Sequence, residues 1–381
     1  MRLAVIASGD PSDIRTWSGT PYFMTKALRA HFPDLTVIRS PFPSWWAPAR
    51  RVARKASAGR LDLAWLKTFA KHHSEKIART LDKNKNDIAV CIACSPISAY
   101  LAERFPIIHV SDVTAPLMRD YYKEFSSLPQ TLANNAVEFD ARSARSAQAC
   151  LYPTRWAADS AIRDYEIDLD RVSVIPWGCN VEKDRIPDRP GCPPFDQCNL
   201  VFIGVDWIRK GGSIVIDTFE TLLSYGAPVS LEIIGASPHD PERLNTLRKA
   251  GARIVERGFI NKADSRGFAL FNSILQSASF LYVPTRQDCY GLVFAEASAY
   301  GVPSISTRTG GVPGVVENGV NGYLLEPNST IEQHAKTIWE IWSDQTRYKK
   351  LRASSRERFE SVLNWDAWLR HAAPIIERAA A

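Results

Sequence analysis

No stretch of the 381 residues comes near the roughly 18 consecutive apolar positions that a membrane-spanning helix requires, so no such helix is expected. The opening Met-Arg-Leu-Ala-Val-Ile-Ala-Ser-Gly-Asp is too short and too soon polar for a secretory leader; it reads as a first strand. There is no Gly-x-Gly-x-x-Gly, which leaves a dinucleotide fingerprint unsupported. There is also no spaced Gly before a Gly-Lys-Ser/Thr, which excludes a Walker A loop. Cysteine is scarce and irregular. Seven residues, an odd number without regular spacing, fit a reducing cytoplasm and not a disulfide framework. Cys91 and Cys94 have C-x-x-C spacing, but they fall in an expected strand from Ile88 to Cys94. Residues three apart in a strand face opposite ways, so no redox or zinc role is expected. Asp168-Leu-Asp170 has the spacing of a metal-binding pair but precedes a strand and reads as a turn. No metal or other cofactor is expected.

What is present is an ordinary globular composition, 45% hydrophobic and 23% charged, at a length that suggests two domains with separate cores. The net charge of +6 is unevenly placed. Residues 1–80 hold 14 Lys/Arg against 5 Asp/Glu, a net of +9, which leaves −3 for the rest. Within that segment, residues 45–71 interleave Trp45, Trp46, Trp65 and Phe69 with Arg50, Arg51, Arg54, Lys55, Lys67 and Lys71. A basic face suits nucleic acid or an anionic membrane surface. The aromatic interleaving suits the membrane surface, the alternative being a solvated helix whose Trp residues pack inward, and no nucleic-acid partner is expected.

The most informative stretch runs from Leu281 to Tyr300. An apolar run stopped by Pro284 reads as a buried strand. Gly291 then precedes Leu292, Val293, Phe294, Ala295 and Ala297, a helix pattern ended by Gly301 and Pro303. The loop therefore ends at a helix N-terminus, which favours an anion. Asp288 in the loop and Glu296 on the helix flank that position and suit hydroxyl donors, so phosphate plus polyol is the indicated ligand. Earlier, Leu200–Gly204 reads as a strand, and Val205-Asp-Trp-Ile-Arg-Lys-Gly-Gly212 leads into a helix from Ser213. Arg209 and Lys210 at this junction form a candidate diphosphate clamp. Near the start, Gly19 precedes a helix and lets a phosphate approach the backbone. Asp112 and Thr114 lie past the strand Ile107–Val110, where open α/β sheets place ligands; they are candidates to contact an acceptor hydroxyl. His109 is expected to point into the sheet.

Asp288 and Glu296, eight apart around Tyr290-Gly291-Leu292, together with Lys210-Gly211 and Gly310-Gly311-Val312-Pro313, resemble the Glu-x7-Glu motif set of retaining group 1 (family 4) glycosyltransferases. The resemblance covers nearly the whole chain and is strongest from 200 to 325. It implies the α/β GT-B fold: two Rossmann-like doubly wound domains facing a cleft, with the C-terminal helix crossing back to the first. The boundaries that follow are an acceptor domain at 1–181, a linker at 182–199 and a donor domain at 200–364, with 365–381 packing back on the first domain.

By the same resemblance, Asp288 contacts the donor sugar, Glu296 the ribose, and Arg209 and Lys210 the diphosphate. Cys289, Tyr290, Gly291, Leu292 and Val293 border the phosphates and sugar, Gly204 and Gly19 line the donor, and Ile260 in the loop Gly258–Lys262 borders the base. Four positions depart from the family pattern: Asp288 stands for Glu, Ser111 for His, Val205 for Arg and Gly314 for Glu. The implied reaction is metal-independent transfer, with retention, from a nucleotide-sugar donor to a glycan or lipid-linked acceptor in cell-surface polysaccharide or glycolipid synthesis. The alternatives are a nucleotide-sugar epimerase or phosphorylase of the same fold and a non-catalytic nucleotide-sugar binder.

Overall fold

The structure is a computed structural model that describes every residue except 39–45, 58–62, 189 and 192. It divides into two compact units, Met1–Pro176 with Trp365–Ala381, and Trp177–Asn364. The segment expected as a linker, 182–199, clusters with the second unit.

The first unit holds strands β1 (Leu3–Ala7), β2 (Thr36–Ile38), β3 (Ile88–Ile92), β4 (Ile107–Val110), β5 (Ala149–Tyr152) and β6 (Val172–Val174). They form one parallel sheet in the order β2-β1-β3-β4-β5-β6. Strands β1, β3, β4 and β5 are buried throughout, which is why they read as continuous apolar runs and not as alternations. The helices here are α1 (Thr20–His31), α2 (Trp46–Ala56), α3 (Lys67–Lys83), α4 (Ser95–Leu101), α5 (Ala115–Tyr121), α6 (Lys123–Ser126), α7 (Gln130–Ser146) and α8 (Arg155–Tyr165).

The second unit repeats the plan with β7 (Cys198–Gly204), β8 (Val229–Gly235), β9 (Arg253–Gly258), β10 (Phe280–Val283), β11 (Ser304–Thr307) and β12 (Gly322–Leu325). Its order is β12-β11-β10-β7-β8-β9, again parallel. Its helices are α9 (Gly212–Ser224), α10 (Pro241–Lys249), α11 (Ser265–Ser277), α12 (Leu292–Ala299), α13 (Ile331–Ser343) and α14 (Gln345–Ser361). The last helix, α15 (Trp365–Ala380), belongs to the first unit, where it packs on α1; His31 Nε2 lies 2.8 Å from Glu377.

Residues 318–327 contain β12, which pairs parallel to β11 from Ser304↔Gly322 to Thr307↔Leu325. The close approach is possible because Gly322 lacks a side chain: a Cβ there would sit 1.9 Å from the Ser304 carbonyl oxygen. From residue 330 the chain forms three helices, with breaks at Asp344 and after Val362. Cys94 lies outside the strand. Ala93 takes φ 45, which ends β3 and turns Cys94 into the N-cap of α4. The two thiols are therefore neighbours, and the Cys91 thiol is held well above its usual range by its bond with Cys94 and by burial. Both cysteines are reduced and buried.

Of the basic segment 45–71, residue 45 and residues 58–62 lie outside the described residues. The rest includes α2, which carries Arg50, Arg51 and Lys55, with Val52 exposed on its surface. No helix among the described residues is long and apolar enough to cross a membrane.

Candidate functional site

In the second sheet the strand order reverses between β7 and β10, which are neighbours although 76 residues separate Gly204 from Phe280. Loops leaving the carboxyl ends of two such strands run to opposite faces and open a crevice between them. The loop after β7 carries Arg209 and Lys210; the loop after β10 carries Asp288. The structure brings them together. Lys210 Nζ makes an ion pair with Asp288 Oδ2, and both side chains are nearly buried, at 11% and 12% exposure. A pair this sheltered is held by Coulomb attraction that bulk water screens little.

Glycines create the room for this approach. A Cβ on Gly204 would fall 2.8 Å from Lys210 Cγ, so the lysine stem lies over the end of β7. Gly211, at φ 78, caps α9, and a Cβ there would stand 2.0 Å from the Pro284 carbonyl oxygen. That contact sets the Arg209-Lys210 turn against the β10 loop. Arg209 completes it: its Nη1 donates to the Gln287 carbonyl at 3.0 Å, and its own carbonyl accepts from Arg286 N–H at 2.8 Å. Asp206, three residues before Arg209, accepts from the Arg209 N–H at 2.9 Å and lies 3.6 Å from its Nε.

Gly291 takes φ 88 as the N-cap of α12, a left-handed geometry that a side chain resists. The turn it makes puts Leu292 and Val293 in the first helical turn, where N–H groups have no intrahelical acceptor. Tyr290 is structural in its side chain. Its buried hydroxyl donates to the Trp177 carbonyl at 2.7 Å, and burial pushes its ionisation far above the usual range. Cys289 is buried beside it. Glu296 is 5% exposed at its side chain and pairs with Lys262 Nζ. Glu296 and burial together keep the nearby Cys179 thiol protonated, its pKa pushed up to about 12, with burial the larger cause. The loop of Gly310 and Gly311 closes the far side, with Gly311 N–H donating to the Asp288 carbonyl at 3.0 Å.

Each carboxylate of the spaced pair is thus matched to one lysine, contributed from 78 residues upstream for Asp288 and 34 for Glu296. Lys262 as the partner of Glu296 was not legible in the sequence, where it appears only as the end of the loop bordering Ile260. The signal for Asp206 is its spacing of three to Arg209. Among the described residues no group of three or more His, Cys, Asp and Glu side chains is placed to hold a metal ion.

Gly19 and Asp112 lie in the first unit. Gly19, at φ 88, caps α1 after Trp17 and Ser18, which also take positive φ. Asp112 follows β4 in a turn where the Ser111 hydroxyl donates to the Val113 carbonyl at 2.7 Å. His109, expected to point into the sheet, instead turns from β4 onto α7, with Nδ1 2.9 Å from Ser143 Oγ, and burial holds its pKa below the usual value.

A family model described as glycosyl transferases group 1 matches residues 197–344. A D-inositol 3-phosphate glycosyltransferase of Corynebacterium glutamicum (strain R) is 27% identical over 237 residues, 59% of this chain and 56% of that protein. The chain spans about half the length of the curated relatives it matches. Sucrose-phosphate synthase from Thermosynechococcus elongatus superposes with a TM-score of 0.69 at 17% identity, over 99% of each chain. Anabaena HepE in complex with UDP and glucose superposes with a TM-score of 0.63 at 15% identity, over 98% of each chain. At these identities the structural likeness speaks for the fold.

Proposed function

Through residues 197–344 the chain belongs to the group 1 glycosyltransferases, in the GT-B fold, and from that premise we propose that it transfers a sugar from a nucleotide-diphosphate donor to an acceptor hydroxyl. The observation that carries this reading is the gathering of Arg209, Lys210, Asp288 and Glu296 around one pair of strand ends. Their charges complement such a donor. The diphosphate takes the cations and the N–H groups that open α12, while the hydroxyls of sugar and ribose donate to Asp288 and Glu296. Donor binding then replaces Lys210 at Asp288 by a sugar hydroxyl and moves the ammonium onto phosphate. HepE with UDP and glucose supports a uridine nucleotide as the first donor to try.

In the reaction the acceptor oxygen bonds to the anomeric carbon as the bond from that carbon to the phosphate oxygen breaks. The acceptor proton passes to the departing phosphate on the same face, and configuration is retained. Charge builds on the leaving diphosphate, and Arg209 and Lys210 neutralise it in a site shielded from water. That is the work a divalent ion would otherwise do, so transfer is independent of added metal. Asp112 orients the acceptor hydroxyl. The acceptor is a polyol phosphate, a glycan or a lipid-linked glycan. The D-inositol 3-phosphate relative supports the first of these, and the basic helix α2 supports work at an anionic membrane surface.

The test is nucleoside diphosphate release from UDP-glucose, GDP-mannose and ADP-glucose, with and without D-inositol 3-phosphate or a lipid extract, and with EDTA. Acceptor-dependent release of an α-linked product, unaffected by EDTA, is expected. Binding of a nucleotide sugar without turnover would make the chain a binder and overturn the transferase reading.

A further inference from the structure

Beneath the loops at the carboxyl ends of β3 and β4 lies one buried carboxylate to which nothing above gives a role. Asp140, on α7, is 4% exposed and accepts three hydrogen bonds from three other elements. The Ser95 hydroxyl, first residue of α4, donates to Oδ1. The Ala115 N–H, first of α5, donates to Oδ2 at 3.0 Å, and the Tyr165 hydroxyl on α8 donates to the same oxygen at 2.6 Å. Tyr165 Oη also accepts from the Ala115 N–H at 3.0 Å. Burial, with Asp140 adding to it, pushes the Tyr165 hydroxyl far above its usual ionisation, so it remains a donor.

These bonds fix one end of each of two loops. The chain reverses at Ala93, whose φ of 45 is costly for a side chain, and enters α4 at Ser95. Asp112 lies three residues before Ala115, and its loop is pinned from the other side by Thr114 Oγ1, 2.5 Å from Ser160 Oγ. A carboxylate carried by a long helix is a rigid point, since α7 runs 17 residues through the core with Phe139 and Ala144 fully buried. A charged acceptor strengthens each of the three bonds relative to neutral pairs. His109 approaches from β4 with Nε2 3.9 Å from Asp140 Oδ1; among the described residues that nitrogen makes no hydrogen bond.

We infer that Asp140 is a positioning residue for the acceptor: it locks the loop bearing Asp112 to the loop that opens α4, and so sets where the acceptor hydroxyl lies. The inference rests on the reading of the first unit as the acceptor side.

The test compares the full-length wild type with Asp140→Asn and the milder Tyr165→Phe and Ser95→Ala, using UDP-glucose and D-inositol 3-phosphate as probes. Loss of a charge-assisted bond should raise the acceptor KM by about tenfold or more in Asp140→Asn and by less in the other two. UDP affinity should stay within about twofold of wild type, since that site lies in the other unit. Amide hydrogen exchange should quicken at 93–98 and at 111–116 and stay unchanged at 284–292. If Asp140→Asn fails to fold, Tyr165→Phe carries the same expectations at smaller size. An unchanged acceptor KM and unchanged exchange in both loops, in a folded variant, would overturn the role. So would an equal fall in transfer and in donor affinity. A wild-type chain that turns over no nucleotide sugar would sink the functional reading separately, and the exchange pattern would then decide whether Asp140 locks the loops.

Discussion

In the second unit the charged side chains at the strand ends are joined as ion pairs, Lys210 with Asp288 and Lys262 with Glu296, over loops that backbone bonds such as Arg286 N–H to the Arg209 carbonyl hold in place. In the first unit the corresponding loops are held by hydroxyls and a backbone N–H gathered on Asp140. A ligand that brings both phosphate and hydroxyl groups can take over both halves of a side-chain ion pair, because each lysine swings on a flexible stem. It cannot take over a bond made by the N–H of Ala115 without moving the chain. The same parallel architecture thus carries exchangeable side-chain ion pairs at one set of strand ends and a fixed backbone anchor at the other.

The contrast breaks most sharply at Lys210. Lys210→Ala removes the cation proposed for the diphosphate and strands Asp288 in a sheltered site. Transfer should fall by about 10²- to 10³-fold in kcat/KM in a steady-state assay. Removing one partner of a buried pair should also cost about 3 kcal/mol of stability in urea titration. Asp288→Ala with full activity would remove the sugar contact from the scheme.

Next in size is a difference between two buried histidines. Both are held below the usual pKa by burial, but His109 has Asp140 beside it working the other way, whereas His334 has burial alone and falls from 6.5 to about 4. A folded pKa below the unfolded one means the unfolded chain takes up the proton first. Stability from His334 is therefore complete above pH 6.5 and is lost as pH falls from 6.5 towards 4, by on the order of 3 kcal/mol. Its Nδ1 sits 3.0 Å from Tyr282 Oη, which also meets Thr218 Oγ1 at 2.8 Å, so His334→Gln should flatten that slope in urea titrations at pH 7, 5.5 and 4.5.

Smaller is the backbone effect at Gly211. Alanine there meets a positive φ of 78 and the Pro284 carbonyl at 2.0 Å, which should cost about 2 kcal/mol and lower the melting temperature. Smallest is Lys262→Met. It unpairs Glu296, the proposed ribose contact, and should raise the donor KM by about tenfold with little change in kcat.

The strand ends and the helix starts were largely legible because Pro284, Gly204, Gly235 and Gly291 punctuate the runs where the backbone turns. The carboxylates were legible for the same reason: they stand at fixed offsets from Gly291. What joins them was not. Local pattern contains nothing that says Lys262 reaches Glu296, or that Asp140 in the middle of a helix faces Ser95 and Ala115; those contacts depend on how helices and strands pack at long range. The C-x-x-C misreading has a local cause, a single left-handed residue at Ala93 that no periodicity reveals. The strand β12 was hidden because turn residues dominate 318–327, while its parallel pairing to β11 depends on Gly322 fitting against Ser304.

Calorimetric titration of wild type and Lys210→Ala with UDP, GDP and ADP tests the central claim, that the ends of β7 and β10 hold a nucleoside diphosphate through an exchangeable lysine. One of the three should bind the wild type and lose affinity by about tenfold or more in the variant. Equal affinity for that nucleotide in both proteins would contradict the account.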